Sequence, residues 1–175
     1  FRDQVPGVHP EYHAFAVNSL GADGSNLLIV GLGPGMHGAN RTGRPFSGDF
    51  AGKLLYESLH KYGVASSAEP LNEKGVANPD LHLNGCRITN AVRCLPPQNK
   101  PEPIEIRTCN GYVAEELAAM PPGSAILALG TIAHHAVLMA LQQRKSSFSF
   151  GHGAGHTMPN GLPLFYGYHR GSSHP

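Results

Sequence analysis

Asp49, Asn90 and His169 stand where a strand end or a helix start would hold them in place, and Phe46 lies just before the first of them. A carboxylate can balance a developing cation, an amide can read the edge of a planar ring, and an imidazole can take up charge on a departing group. Asp49 opens a segment running to Tyr62 in which Phe50, Leu54, Leu55 and Leu59 recur at helical spacing. It reads as an N-cap and also as a carboxylate favoured by the positive end of a helix, and both roles can hold at once. Phe46, after Pro45, reads as a stacking platform for a planar ligand or as an anchor for its loop. Asn90 falls late in an otherwise apolar strand, where an amide must find partners: a structural bond to a neighbouring loop, or recognition of a base edge. His169 ends the last expected strand, a position from which it can donate to developing negative charge.

The loop that leads to Asp49 follows the apolar run Leu27 to Val30 and contains Gly33-Pro34-Gly35-Met36-His37-Gly38, which satisfies G-x-G-x-x-G. A dinucleotide fingerprint needs its third glycine to start a helix and an acidic residue about 20 positions on. Here ten further polar, Gly- or Pro-bearing residues precede the helix at Asp49. A Walker A loop is excluded too, because no Lys-Ser/Thr pair follows Gly38. The loop carries Arg41 and Arg44 and reads as glycine-lined so that backbone can approach a bulky ligand closely.

The elements that must position these residues alternate between strand and helix. Strands are expected at Leu27 to Gly31, Cys86 to Val92, Ala125 to Leu129 and Leu162 to Tyr168; helices are expected at Asp49 to Tyr62, Pro103 to Met120 and Thr131 to Gln142. Residues 1–25 read as an irregular lead-in, 64–82 as loop, and 148–161 as a His/Gly-rich loop. The 175 residues fit one α/β domain, a three-layer α/β/α sandwich on a central, mainly parallel four-stranded sheet. In such sheets ligands bind beyond the carboxyl ends of the strands, which selects Gly31 to Gly38, Asn90 to Arg93, Gly130 and His169.

Formal charge is +1, so composition alone argues neither for nor against a nucleic-acid partner. Glu116 is the last acidic residue, leaving a mildly basic final third with Arg144, Lys145 and Arg170. No apolar run approaches the roughly 20 residues needed to span a bilayer, and no signal peptide is visible, which reads as an intracellular protein. Cys86, Cys94 and Cys109 are an odd set in a chain without a secretory mark, so a disulfide framework is not expected. Cys94 and Cys109 flank the Pro-rich turn RCLPPQNKPEP, but two ligands do not close a metal site. His152 and His156 lie in a Gly-rich loop rather than on a helix, which disfavours a zinc site there.

Four stretches together carry a resemblance: GLGPGMHGANRTGRPFSGDFAG, ITNAVRCLPPQNKP, ALGTIAHHAVL and LFYGYH. They look like the uracil-DNA glycosylase superfamily, and within it the family 5, or B-type, bacterial and archaeal enzymes, over roughly residues 27–169. The resemblance implies that Gly33, Pro34, Gly35, His37 and Gly38 line a base pocket and that Phe46 stacks on the flipped base. It implies that Asp49 positions water or stabilises the sugar cation, that Asn90 bonds the Watson–Crick edge, and that His169 is the histidine of the second catalytic motif. Asn40 and Arg41 would serve the pocket or the DNA. It also implies a four-iron, four-sulfur cluster with Cys94 and Cys109 as two ligands; the other two, normally a C-x-x-C pair, are expected upstream of Phe1, and a chain without them holds no cluster.

The implied function is hydrolysis of the N-glycosidic bond of uracil in DNA, and also of hypoxanthine and other deaminated bases. No lysine matches a catalytic position, so the implied enzyme is monofunctional and leaves an abasic site. The implied setting is the cytoplasm at the nucleoid, with a monomer acting on damaged DNA, no membrane and no nucleotide cofactor. Two departures stand out. After His169 the chain reads RGSSHP in place of a Ser-Arg-type segment, which leaves His174-Pro175 as a displaced alternative motif. Gly33 stands where alanine is usual, which would widen the pocket. A catalytically silent DNA-binding relative and a nucleotide-dependent α/β enzyme using the glycine loop remain the alternative readings.

Overall fold

A computed structural model describes residues 11–168. In chain order the regular elements are Leu27–Gly31 (β1), Ala39–Thr42 (α1), Phe50–Lys61 (α2), Cys86–Asn90 (β2), Pro103–Ala118 (α3), Ala125–Leu129 (β3), Thr131–Ala140 (α4), Gly155–Thr157 (β4) and Pro163–Gly167 (β5). The strands form one sheet in the order β2-β1-β3-β5-β4. β1 is parallel to β2 and β3, β5 is parallel to β3, and β4 alone is antiparallel. Gly31 lies opposite Asn90, so the last residues of β1 and β2 are register partners.

Side-chain alternation divides the core between the two faces of the sheet. Leu28, Val30, Ile126 and Ala128 join Val113 and Leu117 of α3 and Ala133 and Val137 of α4 in one cluster. Ile29, Cys86 and Ile88 join Tyr56 and Leu59 of α2 in the other. The architecture is therefore a helix-covered α/β sheet, as the alternation of elements required.

The sheet has five strands, not four. The extra one, β4, lies in the stretch expected to be loop and forms a hairpin with β5 across Met158 to Leu162, where Met158 N–H donates to Leu162 O at 2.8 Å. Three residues are too few to show a period, but Asn160-Gly161 is a known hairpin signal, and Gly161 has φ +87°. The glycine loop also contains one helical turn, α1, directly after Gly38 and closed by Gly43 at φ +76°. A single turn leaves no hydrophobic repeat to detect and is too short to build a helix macrodipole. β2 ends at Asn90, two residues before the expected Val92, because its partner β1 ends at Gly31.

The described part of the lead-in, residues 11–25, contains no helix or strand but is tied down; its first ten residues lie outside the described residues. Leu20 and Ile88 exchange backbone hydrogen bonds of 2.8 and 2.9 Å, and Val17 N–H donates to Arg93 O at 2.8 Å. Beneath it the buried carboxylate of Glu116 accepts from Ser19 Oγ at 2.6 Å and pairs with Arg87 and, at 3.5 Å, with Arg93. Arg87 also reaches Gly21 O and Asp23, and the Arg93 guanidinium lies 4.1 Å over the Tyr112 ring. The last acidic residue of the chain thus joins the lead-in, β2 and α3 rather than facing a ligand.

His134, on α4, is fully buried, and neither ring nitrogen has a hydrogen-bond partner among the described residues. Its ring meets that of Tyr166 at 4.3 Å, edge to face. Burial, with the nearby His135 and His156, pushes its pKa down to about 4. The unfolded chain binds this proton first, so the contribution to stability is full above the ordinary histidine value near 6.5 and is lost as pH falls toward 4. His134→Leu should therefore flatten the pH dependence of unfolding in that window, by up to about 1.4 kcal/mol per pH unit. Urea denaturation of both proteins at several pH values checks this; equal slopes would show that His134 does not titrate with folding.

Candidate active site

Beyond the carboxyl ends of β1 and β2 the chain brings an amide and an aromatic ring together over a glycine. A Cβ placed on Gly31 would lie 2.3 Å from Phe46 Cζ and 2.5 Å from Asn90 Oδ1. Only a residue without a side chain allows ring and amide to meet there. Phe46 is 7% exposed and belongs to the cluster of Ile29, Tyr56 and Leu59, so it anchors its loop while one edge faces Asn90. Its φ is +54°, an uncommon conformation for an aromatic residue, held in place by the Tyr56 hydroxyl donating to Pro45 O at 2.7 Å.

Asn90 is 4% exposed. Among the described residues its amide has no hydrogen-bond partner, whereas the buried Asn110 donates to Ala136 O at 2.9 Å. Unlike the ring nitrogens of His134, its polar atoms are not sealed from solvent, so the amide is open to the edge of a ligand.

Asp49 caps α2, its Oδ1 accepting from Gly52 N–H at 2.8 Å. Its Oδ2 faces the glycine loop: a Cβ on Gly35 would lie 3.8 Å from it and one on Gly38 3.3 Å. One oxygen of Asp49 thus caps the helix and the other is presented to the loop. Gly52 is required as well, because a Cβ there would lie 1.9 Å from Phe46 O.

The other residues of the loop divide between lining and scaffolding. Pro34 is buried and His37 exposed, the latter bonded through Nδ1 to the Tyr12 hydroxyl at 2.8 Å. Asn40 is 2% exposed, and its backbone carbonyl accepts from Ala14 N–H at 2.9 Å. Arg41 donates to His37 O at 3.0 Å and to Gly75 O at 3.1 Å, while Arg44 donates to Pro70 O and Asn78 O at 2.9 and 2.8 Å. These two cations are spent on holding the 64–82 excursion against the loop. A Cβ on Gly33 would meet Val92 Cγ2 at 2.6 Å, so the missing methyl relieves packing against Val92 rather than widening a pocket. His169 and His174 lie outside the described residues.

Sequence reading placed Gly31 in the strand-end zone without giving it a role, and did not single out Tyr12. Gly31 had a signal, a glycine closing an apolar strand, which marks a close approach. Tyr12 had none, since its contact with His37 spans an irregular segment.

Cys94 and Cys109 are both free thiols, exposed and half-buried respectively. Burial, followed by the charges of Cys109 and Glu105, pushes the Cys94 thiol up. Among the described residues no group of three or more His, Cys, Asp or Glu side chains is placed to hold a metal. His152 instead stacks on Tyr168 at 4.9 Å, and His156 bonds the Tyr166 hydroxyl at 2.8 Å. No helix among the described residues is long and apolar enough to cross a membrane.

The sequence profile of the Uracil DNA glycosylase superfamily matches residues 19–172. The chain belongs to the uracil-DNA glycosylase superfamily. Members act in DNA repair by removing uracil. Among curated proteins it is 44% identical over 158 residues to the Type-5 uracil-DNA glycosylase of Thermus thermophilus, covering 90% of this chain and 70% of that one. It is 38% identical over 160 residues to the Type-5 uracil-DNA glycosylase of Mycobacterium bovis, covering 90% of this chain and 58% of the relative. A Type-4 uracil-DNA glycosylase of Pyrobaculum aerophilum is 31% identical over 136 residues, covering 75% of this chain and 59% of the relative. The chain thus spans between about six and seven tenths of the length of these relatives.

Gly31→Ala should part the Phe46 ring from the Asn90 amide. For this glycosylase-family chain, uracil release is expected to fall by about a hundredfold or more, more than the accompanying loss of stability explains. Comparing kcat/KM with the unfolding midpoint decides it; release at the wild-type rate would show that the close approach serves packing alone.

Proposed function

We propose that this chain hydrolyses the N-glycosidic bond of uracil in DNA, acting as a monofunctional, monomeric glycosylase that leaves an abasic site. The observation that carries the proposal is the Asn90 amide, without a hydrogen-bond partner among the described residues and open to solvent, set beside the Phe46 ring at the start of a loop that ends on Asp49.

A glycosylase takes its target nucleotide out of the stack, at a cost of a few kcal/mol that a mispaired base reduces. The extruded uracil offers a carbonyl and an N–H side by side, which the carbonyl and amino groups of Asn90 match. As the bond to C1′ stretches, positive charge grows on the sugar and negative charge on the base. The Asp49 carboxylate faces the sugar, balances the cation and orients the attacking water. Water adds its oxygen to C1′ and gives up a proton, while the departing base takes up the bonding electron pair and a proton. The base stays bound to Asn90 until release. His169 is assigned the hydrogen bond to the developing charge on the base. Gly35 and Gly38 matter because bare backbone lets the loop close on Asp49.

An iron–sulfur cluster is part of the proposal. Cys94 and Cys109, both free thiols, would supply two of the four thiolate positions of such a cluster, which when bound would cross-link the chain around them. In purified protein, Cys94→Ser and Cys109→Ser are each expected to bring iron per chain down to background by colorimetric assay. Equal iron in wild type and variants would remove these cysteines from any cluster site.

The activity is tested by base release from a uracil-containing oligonucleotide, read as alkaline cleavage at the abasic site, with a hypoxanthine oligonucleotide in parallel. Asp49→Asn is the informative variant, because asparagine caps a helix as well as aspartate does but carries no charge. The chemical step is expected to slow by about a hundredfold or more with the unfolding midpoint unchanged. Asn90→Ala is expected to raise KM for uracil DNA. A folded wild-type protein that releases no uracil would overturn the proposal, and one that binds uracil DNA tightly without cleavage would make it a silent DNA-binding relative.

A further inference from the structure

Beside Asp49, the end of the glycine loop at Gly48, the start of α2 and the 64–82 excursion line an open cleft of about 350 Å³. Asp49, Phe50 and Lys53 form one wall, and Glu69, Pro70 and Leu71 form the other. The Phe50 ring is 61% exposed in the first turn of α2 and makes no ring contact among the described residues. The far wall is fixed, since Arg44 binds Pro70 O and Asn78 O and the Leu71–Ala77 bridge closes the strip behind it.

We propose that this cleft is a second base-binding subsite, which takes the base of a nucleotide next to the one whose glycosidic bond is cut. The inference rests on the glycosylase reading of Asp49, because that residue lines the cleft and also lies against Gly35 and Gly38 of the loop. An exposed aromatic face beside a groove is the usual platform for an unpaired base. The lining favours a base over a phosphate: Asp49 and Glu69 are both among its residues, and their negative charge disfavours an anion beside them. Lys53 and Glu69 offer a donor and an acceptor to the polar edge of a ring whose faces lie against Phe50 and Pro70. Lys53 can turn to this task, since its pairing with Glu57, at 3.8 Å between exposed side chains, holds it weakly. A neighbouring base seated here is itself out of the stack, so the substrate is a locally unpaired strand.

The test uses fluorescein-labelled single-stranded oligonucleotides carrying one uracil, with the nucleotide on its 5′ or 3′ side kept or replaced by a tetrahydrofuran abasic unit. Affinity is read by anisotropy, and uracil release is read as KM and kcat. Removing the neighbouring base on one side is expected to weaken wild-type binding roughly tenfold or more, the range of one base–aromatic stack. Phe50→Ala is expected to lose the same factor on the intact oligonucleotide and nothing further on the neighbour-less one, while Phe50→Tyr restores wild-type affinity. Loss of the same factor on both oligonucleotides, or no loss on either, would overturn the subsite. Wild-type protein that binds these oligonucleotides but releases no uracil would sink the glycosylase reading instead, and its affinities would still decide the cleft.

Discussion

Position 31 must carry no side chain, and much of the site follows from that. β1 is central in the sheet, and its register with β2 sets Gly31 opposite Asn90. The Phe46 ring comes down over the same point from a loop that left the sheet at Gly31 itself. Any Cβ there would displace ring or amide by more than side-chain adjustment can absorb, because both are packed in the interior. The positive φ of Phe46, the Tyr56 hydroxyl on Pro45 and the glycine at position 52 beneath Phe46 O are the local conditions that bring the ring there. Asp49 follows three residues later, so the same turn that seats the ring also starts the helix and aims the carboxylate.

The cations near the strand ends are largely committed to the protein. Arg41 and Arg44 donate to backbone carbonyls of the 64–82 excursion, and Arg87 and Arg93 share the Glu116 carboxylate. A guanidinium in such a place is scaffolding: it satisfies carbonyls that no sheet or helix pairs, and its donors are no longer available to a phosphate. The basic look of the glycine loop is therefore a property of its attachment to the excursion, and the wall of the cleft beside Phe50 is a product of that attachment.

His134 shows a different compromise. Its ring fills core volume against Tyr166, but its nitrogens have no described partner, so burial keeps it neutral. The neighbouring histidines at 152 and 156 find aromatic or hydroxyl partners near the surface, where water meets what the protein does not.

The strand–helix alternation and the Asp49 cap were legible in the residues, because they depend on local periodicity and on what a helix start needs. The glycine motif was legible too, though the single turn after Gly38 was not, since four residues show no period. β4 escaped for the same reason, despite the Asn160-Gly161 turn that announces a hairpin. Contacts between distant segments lay beyond reach: Gly31 beneath Phe46 and Asn90, Tyr12 on His37, and Arg44 on Pro70. Sequence alone determined which groups were present and which elements would carry them. Only the tertiary structure decided which of them meet, because strand order and register place residues side by side that no spacing along the chain relates.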